Sequence, residues 1–475
     1  MYLNLLKHSV RSFKRQRAYI LINIFGLAIG IACSLLIALY VINEASYDRF
    51  NEKKDRIFRV VLNGKLGEQE INGAYTPAIM GPTMPEEFPE VEDFLRMNGT
   101  GSTSVEYDQN IFTEDNVIEA DSSFFNFFSI PVIRGDRDNL LNSPHKVVLS
   151  ESAAKKIFGD ADPIDRMIKI GSDTTRYVVT GVMQDIPSNS HFDASMITSF
   201  LTNPRSKQQE WMSNSFALYL LLKPNASAAS ADSKFKDMVA KYVGPELQQY
   251  TGVTVEEFLK RGNVYRFYLQ KLTDIHLDNT VEGEFKAPID PRYLVIFGSI
   301  ALLIVVIAAI NFMNLATAQA SRRSKEVGIK KIGGSSRGML ITQFLTESFL
   351  LVFISLIFSL VIIKLSLPYF NNLLGTKLEL ELFAAWYTIP VLLLFSLIVG
   401  VMSGSYPAFF LSSFSPYEVL KGNARNSRSN GKLRKVLVVF QFAVSILLIV
   451  GTLIMSRQIK YMLNKDVGFN KEQLI

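Results

Sequence analysis

Five apolar stretches limit what this chain can fold into. Each is long enough to cross a hydrocarbon layer of about 30 Å, which takes about 20 residues of α-helix. A helix is the form in which such a run can cross, because backbone groups find no partners in lipid. The sequence therefore predicts an α-helical membrane protein with five spans. The stretches are Tyr19–Ile42, Tyr293–Met313, Leu340–Ile363, Tyr387–Phe410 and Val436–Met455.

The distribution of charge predicts the orientation of the spans. The chain has a formal net charge of +6, yet residues 44–291 carry an acidic excess. The basic excess lies before the first span, between the second and third, and between the fourth and fifth. Lys and Arg concentrate in cytoplasmic loops, and all three basic regions fall on one side if the N-terminus is cytoplasmic. Residues 44–291 are then extracytoplasmic.

The first apolar stretch could be a cleaved signal peptide or a retained anchor. Its length exceeds the 7–15 residues usual for the apolar region of a signal peptide, and no small-residue cleavage site closes it. The retained anchor is the favoured interpretation. The single cysteine, Cys33, lies within this stretch and is predicted to be a small packing residue.

Residues 44–291 are long enough to form a folded domain of mixed α and β structure. Alternating apolar runs predict strands at Arg176–Val182, Ala217–Leu222 and Val264–Leu269. A short helix is predicted from Ser150, as its cap, to Gly159, as its stop. Thr254 and Glu257 have the spacing of a capping box before another helix.

Catalytic motifs are missing from the sequence. Gly64-Lys65 and Gly431-Lys432 are each followed by Leu, so no phosphate-binding loop of the Gly-Lys-Ser/Thr type is present. The four histidines stand far apart and lack metal-ligand spacing, which favours solvated or structural roles. The basic residues lie beside the spans, an arrangement that does not indicate nucleic-acid binding. We therefore expect no catalytic residues, no metal and no bound cofactor in this chain.

Two features inside the spans call for close packing or polar contacts. Gly26, Gly30 and Ser34 form a face of small residues that lets another helix approach, either within the chain or in a dimer. Glu347 lies inside the third span, where a carboxylate is costly. A hydrogen bond to a neighbouring helix or loop is favoured for Glu347 over a role in proton or ion transport.

The basic loop between the second and third spans carries the most information. Its charged first half, with Val327, Ile329 and Ile332, predicts a short amphipathic helix that ends at Gly333-Gly334. The chain then enters the third span directly. Such a helix could be gripped by a cytoplasmic partner, whereas a loop without a partner would explain the basic residues but not the apolar spacing or the Gly-Gly stop.

This loop resembles a motif of the permeases of MacB/FtsX/LolC-type ABC transporters. Arg323–Ser335 is similar to the family pattern basic-Glu-Ile-Gly-Ile-x-(Lys/Arg)-x-(Leu/Ile)-Gly-Ala-Ser, with Val327 in place of Ile and Gly334 in place of Ala. Motifs elsewhere resemble the end of the family's last span and its periplasmic core domain, in the expected order. These are Tyr406–Ala408, Ser415–Gly422, Ala120–Phe128, Val147–Ala154 and Val179–Val182.

The resemblance implies a four-span FtsX-like bundle, to which this chain adds a fifth span, and an α+β periplasmic core domain between the first two spans. It implies location in the bacterial inner membrane and a partner ABC ATPase that uses ATP and Mg. The loop would be the coupling helix seated on that ATPase. Its residues are Lys325, Glu326, Val327, Gly328, Ile329, Lys330, Lys331, Gly333 and Gly334.

Permeases of this family work as dimers or as tandem repeats. The basic stretch and fifth span resemble the start of the chain, so we expect a second permease copy or a second repeat that begins near the end of this sequence. The resemblance leaves open a periplasmic adaptor or outer-membrane partner.

The leading functional hypothesis is a mechanotransmission subunit that couples ATP hydrolysis by a partner to export of periplasmic peptides, drugs or lipoproteins. One alternative is a transmembrane sensor or regulator, for example of cell-wall hydrolases or antimicrobial peptides. An ion-driven secondary transporter is a further alternative, for which Glu347 alone is thin support.

These interpretations divide the chain into alternating spans and loops. The loops are a cytoplasmic interfacial helix at 1–18, the core domain at 44–291, the coupling loop at 318–338, a short outer loop at 367–386, a cytoplasmic basic loop at 412–435 and an outer tail at 457–475. The spans are 19–43, 292–317, 339–366, 387–411 and 436–456.

Overall fold

A computed structural model describes residues 17–171, 175–380, 386–413 and 431–464. It divides into two compact units. We call Ile42–Val295 the insert domain, and the described residues of Met1–Val41 and Ile296–Ile475 the helical unit. The predicted interfacial helix at the N-terminus, most of the basic loop with Ser415–Gly422, and the end of the tail lie outside the described residues.

Long apolar helices make up the helical unit. Within the described residues, five helices are long and apolar enough to cross a membrane. A sixth, short helix follows the second of them and is polar. The helices are α1 (Arg17–Ala45), which continues into the insert domain, α8 (Pro291–Ala318, which begins in the insert domain), α9 (Ala320–Ile332), α10 (Arg337–Leu374), α11 (Thr388–Ser412) and α12 (Gly431–Asn464).

Helix α1 packs its small residues against α8. A Cβ placed on Gly30 would lie 2.7 Å from the Cβ of Ala308, closer than two such carbons can approach. Gly26 lies further along the same contact, 3.5 Å from the Nδ2 of Asn311 when measured in the same way. Ser34 is 6% exposed. The face of small residues thus contacts a helix of its own chain.

Cys33 does not pack in this contact. Its side chain is exposed, so its interpretation as a packing residue was wrong. The physical reason is the helical period, because Cys33 continues the exposed stripe of Ile22, Phe25 and Ile29 along α1.

Helices α10 and α11 approach each other through small residues as well. A Cβ on Gly404 would lie 2.6 Å from the Cβ of Ser348, and one on Gly400 would lie 3.3 Å from the Cα of Phe349. Ser396 and Ser403 on the same face of α11 are fully buried. Their spacing of about four residues is the small-x-x-x-small pattern, which the sequence analysis identified only in the first span.

Helix α10 has 38 residues and continues eight residues beyond the predicted span. It ends where Gly375 adopts the left-handed conformation, with φ of +63°, and its N–H donates to the carbonyl of Asn371. The side chain of Asn371 then accepts from the N–H of Leu378 at 3.0 Å. Local capping, rather than the end of the apolar run, sets where this helix stops.

The insert domain is built on a sheet of eleven strands in the described residues. The strand order is β11-β1-β10-β3-β4-β9-β6-β8-β5, with β2 paired to β1, and β7 paired to β3 and β8. Most neighbours are antiparallel, but β4–β9 and β6–β8 are parallel. The strands are β1 (Ile57–Leu66), β2 (Gln69–Gly73), β3 (Val91–Tyr107), β4 (Asn110–Ala120), β5 (Val132–Gly135), β6 (Lys146–Ser150), β7 (Met167–Ile170), β8 (Arg176–Met183), β9 (Met196–Ser199), β10 (Ala217–Leu222) and β11 (Val264–Lys271).

Short helices connect and cover these strands. They are α2 (Met80–Glu87), α3 (Phe124–Phe127), α4 (Glu151–Phe158), α5 (Ala228–Met238), α6 (Gly244–Thr251) and α7 (Val255–Lys260). One π-helical turn lies between α5 and α6, and single 3₁₀ turns occupy Arg137–Asn139, Phe200–Thr202, Pro204–Lys207 and Leu272–Asp274.

The local predictions for this domain are confirmed. The hydroxyl of Ser150 accepts from the N–H of Ala153 at the start of α4, and Gly159, with φ of +60°, follows its end. Thr254 and Glu257 form the predicted capping box of α7. The three predicted strands are β8, β10 and β11.

The three largest apolar clusters among the described residues of the insert domain hold its sheet and helices together. The largest is rich in aromatic side chains and surrounds Phe124, Phe128 and Phe192. A second lies between α2, α5 and the strands β1 and β10, and a third lies between α4 and the strands β6 to β9. The sheet is therefore covered by helices and loops that each bring their own apolar side chains.

Candidate functional site

The candidate site is built on helix α9, which begins two residues after α8 ends. The N–H of Gly333 donates to the carbonyl of Ile329 at 2.9 Å, and Gly334 has φ of +90°. Only a residue without a Cβ adopts this conformation readily, so the Gly-Gly pair ends α9 where the sequence predicts. Ser336 then caps α10 by accepting from the N–H of Met339.

One face of α9 packs against the start of α10 and the end of α11. Val327 is 1% exposed and belongs to an apolar cluster with Leu340, Phe344, Ala408 and Leu411. Gly328 beside it is buried too. This packing holds α9 at a fixed angle to both helices.

A buried ion pair reinforces the same contact. Arg323 Nη1 of α9 donates to Glu347 Oε2 of α10 at 2.7 Å, and the two side chains are 15% and 6% exposed. The Arg323 guanidinium also lies 5.8 Å from the centre of the Phe344 ring. Burial by itself would lower the pKa of Arg323, but the Glu347 carboxylate outweighs it and raises that pKa. Removing Glu347 would leave the buried Arg323 charge without compensation.

Two further polar contacts extend the pair along α9. Gln343 Nε2 donates to the other oxygen of Glu347 at 3.1 Å. Its own side-chain oxygen accepts from Lys330 Nζ at 3.0 Å. Lys330 also donates to Glu326 at 2.8 Å, one turn away on α9. Helix α9 is thus tied to α10 at two points, one near each end.

The opposite face of α9 is exposed and partly apolar. Ile329 is 70% exposed and Ile332 is 62% exposed, and Glu326 lies at the surface beside them. Lys331 is half-buried, whereas Gly333 and Gly334 are exposed. The side chain of Lys325 lies outside the described residues. Two large apolar side chains three residues apart are therefore exposed on an otherwise polar helix.

Glu347 makes the contact with a neighbouring helix that the sequence analysis favoured. The partner, Arg323, lies within the quoted motif, but nothing in the sequence pointed from one residue to the other, since 24 residues separate them. Gln343 was not singled out, although it lies one helical turn before Glu347 on the same face.

Buried histidines outside α9 take structural positions. His191 and His276 in the insert domain are buried, and each contacts a carboxylate, of Asp48 and Glu44 respectively. His8 lies outside the described residues. Among the residues that the structure describes, no three His, Cys, Asp or Glu side chains are arranged to hold a metal ion.

Comparisons with known proteins identify both parts of the chain. The model of the MacB-like periplasmic core domain matches residues 20–238, and that of the FtsX-like permease C-terminal domain matches residues 298–416. The chain belongs to the MacB/FtsX-type ABC transporter permeases. The permease is a multi-pass membrane protein, and its insert domain is extracytoplasmic. The predicted fold class, a helical membrane protein with an α+β domain between its first two spans, is confirmed.

Individual relatives agree with this family. The permease is 23% identical over 429 residues to the ABC transporter permease YvrN of Bacillus subtilis. This alignment covers 87% of this chain and 98% of YvrN. It is 20% identical over 424 residues to the macrolide export ATP-binding/permease protein MacB of Chromobacterium violaceum, covering 87% of this chain but only 60% of MacB. Membership of this family implies an ATPase partner.

Among solved structures, the permease is similar to a domain of a Porphyromonas gingivalis protein described as a permease. The identity is 22% and the TM-score is 0.41, and the match covers 52% of this chain and 98% of that domain.

Proposed function

We propose that this permease transmits the movement of a partner ABC ATPase to its extracytoplasmic domain, for export of peptides, drugs or lipoproteins from the outer side of the membrane. The ATPase, with ATP and Mg, docks on α9 from the cytoplasm. The permease lies in the bacterial inner membrane with a cytoplasmic N-terminus, and acts with a second permease copy or repeat.

The two faces of α9 are the observation that carries this proposal. One face is fixed to α10 by Val327 and by the pair of Arg323 with Glu347, while the other exposes Ile329 and Ile332. A helix that is fixed to the spans on one face and exposes apolar side chains on the other can transmit the displacement of a bound partner to the spans. A flexible loop with the same sequence would change its own conformation and would not transmit that displacement.

The export class is supported by the relatives alone. The MacB relative is named for macrolide export and carries an ATP-binding part, whereas the motifs for nucleotide binding are missing from this sequence. We therefore assign ATP hydrolysis to a separate subunit and the mechanical step to this chain, two functions that the MacB relative combines in one protein.

Docking on α9 is tested by substitutions on its exposed face. Ile329→Asp and Ile332→Asp place charges where the ATPase would bury them, and leave the contacts of Arg323, Val327 and Lys330 in place. We expect the purified wild-type chain to hydrolyse no ATP alone. Each of the two variants should lose more than about 90% of the assembly with the ATPase of the native host that wild type shows. Ile111→Asp is the matched control, because Ile111 is 73% exposed in the insert domain.

An α9 variant that assembles with the ATPase as well as wild type would overturn the docking site. Lys330 is unsuitable for this test because its side chain also contacts Gln343, so its replacement would disturb the attachment of α9 itself.

The orientation is tested by cysteine labelling in a Cys33→Ser background. Ser102→Cys in the insert domain should react with a membrane-impermeant maleimide on intact cells whose outer membrane has been permeabilised. Ser335→Cys, next to Gly334, should react only after the inner membrane is opened. The reverse pattern would exclude a cytoplasmic α9.

A further inference from the structure

Two stretches of the insert domain adjoin the membrane helices. The first root segment, Asn43–Asp48, follows the apolar part of α1, and the second root segment, His276–Asp290, precedes α8. Each root segment joins one of these helices covalently to the rest of the insert domain, so a displacement of that helix can reach the sheet along it. What the root segments contact therefore decides how such a displacement spreads.

A single loop, Ser188–His191, binds both root segments. The N–H of Asp48 donates to the carbonyl of Asn189 at 2.8 Å, and Asn189 Nδ2 donates to the hydroxyl of Ser46 at 3.0 Å. From the second root segment, Lys286 Nζ donates to two carbonyl oxygens of the same loop, at 3.3 and 3.1 Å. The loop is thus the place where the two root segments are tied together.

The root segments also contact each other directly. His276 Nε2 lies 2.6 Å from Glu44 Oε2, and both side chains are nearly buried, at 5% and 6% exposure. The imidazole stacks on the ring of Tyr47, with 3.4 Å between the ring centres and 5° between the planes. The hydrogen bond and the ring stacking therefore oppose separation of the two segments.

Three buried side chains in a hydrogen-bonded series connect the root segments to the sheet. His191 Nδ1 lies 2.8 Å from Asp48 Oδ1, and His191 Nε2 lies 2.7 Å from the hydroxyl of Tyr219. Tyr219 belongs to β10, which lies between β1 and β3. Burial raises the pKa of Tyr219 well above its ordinary value, so its hydroxyl keeps its proton at neutral pH.

Each hydrogen bond in the series Asp48–His191–Tyr219 is costly to break. Asp48 is fully buried and holds φ of +58°, and its carboxylate also accepts from the backbone N–H of His191 at 3.3 Å. Loss of one partner leaves a buried polar atom without a hydrogen bond. An unsatisfied carboxylate or imidazole inside the domain is a larger penalty than a lost contact at the surface.

We propose that His191 is a positioning residue that joins both root segments to strand β10, so that the two membrane attachments and the sheet move as one body. The inference rests on the proposed function, because it specifies the route by which movement of the spans reaches the extracytoplasmic domain. His191 acts through Asp48 on the first root segment, through its loop on the second, and through Tyr219 on the sheet.

The test compares two Tyr→Phe variants of the full-length permease in lipid nanodiscs by hydrogen exchange. Tyr219→Phe removes the hydroxyl bonded to His191. Tyr268→Phe, the control, removes a hydroxyl of the adjacent part of the sheet, which donates to Asn72 Oδ1 at 3.1 Å. The reporters are the bonded amides of Asp48 and Ile289, one in each root segment.

We expect Tyr219→Phe to speed exchange at both reporters together by about tenfold, equivalent to 1.4 kcal/mol. Tyr268→Phe should instead act on the amide of Glu282, which donates to the carbonyl of Asn72, and leave both reporters unchanged. His191→Asn, which keeps a donor near the Nδ1 position but loses the contact with Tyr219, should reproduce Tyr219→Phe, and the double variant should add nothing. Faster exchange confined to β10, or an equal effect of the control, would overturn the proposal.

A second measurement separates this inference from the proposed function. With the ATPase bound, ATP should alter exchange in the sheet of the wild-type permease, and Tyr219→Phe should abolish that response while ATPase assembly and hydrolysis persist. Failure of the ATPase to assemble with wild type would overturn the proposed function and leave the exchange result intact. A normal ATP response in Tyr219→Phe would overturn the inference alone.

Discussion

The helical unit and the insert domain are packed with different kinds of side chain. Among the described residues, the largest fully buried side chains of the insert domain are mostly aromatic, such as Phe124, Phe128 and Phe192. The helical unit buries aliphatic side chains such as Leu27 and Ile31, and serine, alanine and glycine line its closest helix contacts, including Ser355 and Gly404. The same chain thus builds two cores with different side chains, and the difference follows from the solvent around each.

In water, removing apolar surface is itself favourable, so large aromatic side chains contribute most when they are buried. In lipid, a leucine gains little by leaving the acyl chains for a protein interior, because both surroundings are apolar. Helices are then held by close backbone approach and van der Waals contact, which small residues permit. The exposed isoleucines and leucines of α12 fit this account, since lipid satisfies them as well as protein would.

The largest effect is expected from filling a close helix contact. Gly404→Leu adds four carbons where the first alone would lie 2.6 Å from the Cβ of Ser348, so α10 and α11 cannot keep their separation. We expect loss of the folded helical unit, seen as loss of monodisperse protein in detergent. Gly298→Leu in α8 is the matched control, because nothing lies within 4 Å of its added carbon. Equal yields of the two variants would refute close approach as the basis of the packing.

The next largest effect is expected from emptying the aromatic core. Phe128→Ala should lower the free energy of unfolding of the insert domain by about 3–5 kcal/mol, through lost burial and a residual cavity. Fluorescence of the buried Trp211, in a Trp386→Phe background, reports this domain alone. Ile111→Ala, at a 73% exposed position, should change stability by less than about 0.5 kcal/mol. A similar loss from both variants would contradict the comparison.

Much of the fold could be predicted because its signals are local. The spans follow from long apolar runs, and the ends of α4, α7 and α9 follow from cap residues within a few positions of each helix end. The glycines of α11 carried the same signal as Gly26 and Gly30, but an apolar run that is already assigned as a span does not draw attention to its small residues. A search of every span for small residues four apart would have found them.

The long-range polar contacts of the insert domain could not be predicted, because they join distant parts of the chain. Asp48 and His191 are 143 residues apart, and Arg59 and Glu284 are 225 apart. Neither sequence neighbourhood is unusual, and pairing depends on the strand order of the sheet, which includes the parallel neighbours β4 and β9. Only the topology brings these side chains together.

A smaller effect is expected in the pH dependence of the stability of the insert domain, whose core contains the buried Tyr219. Burial raises the folded-state pKa of Tyr219 above the value near 10 that it has when unfolded. Its contribution is therefore complete below about pH 10 and is lost as pH rises further, by about 1.4 kcal/mol per pH unit. Tyr219→Phe should remove this share of the alkaline destabilisation, measured by Trp211 fluorescence. An unchanged slope in Tyr219→Phe would show that Tyr219 ionises as readily in the folded domain as in the unfolded chain.

The smallest effect is expected at Ser355, and it decides what the buried serines of the helical unit do. The hydroxyl of Ser355 donates to the carbonyl of Leu351 in its own helix, at 2.8 Å, so it forms no hydrogen bond between helices there. Ser355→Ala should therefore change the midpoint of unfolding in SDS by less than the equivalent of about 0.5 kcal/mol, whereas Ser355→Leu should be strongly destabilising because the site is fully buried. If Ala proved as harmful as Leu, hydrogen bonding rather than small size would be what the helical unit requires at this position.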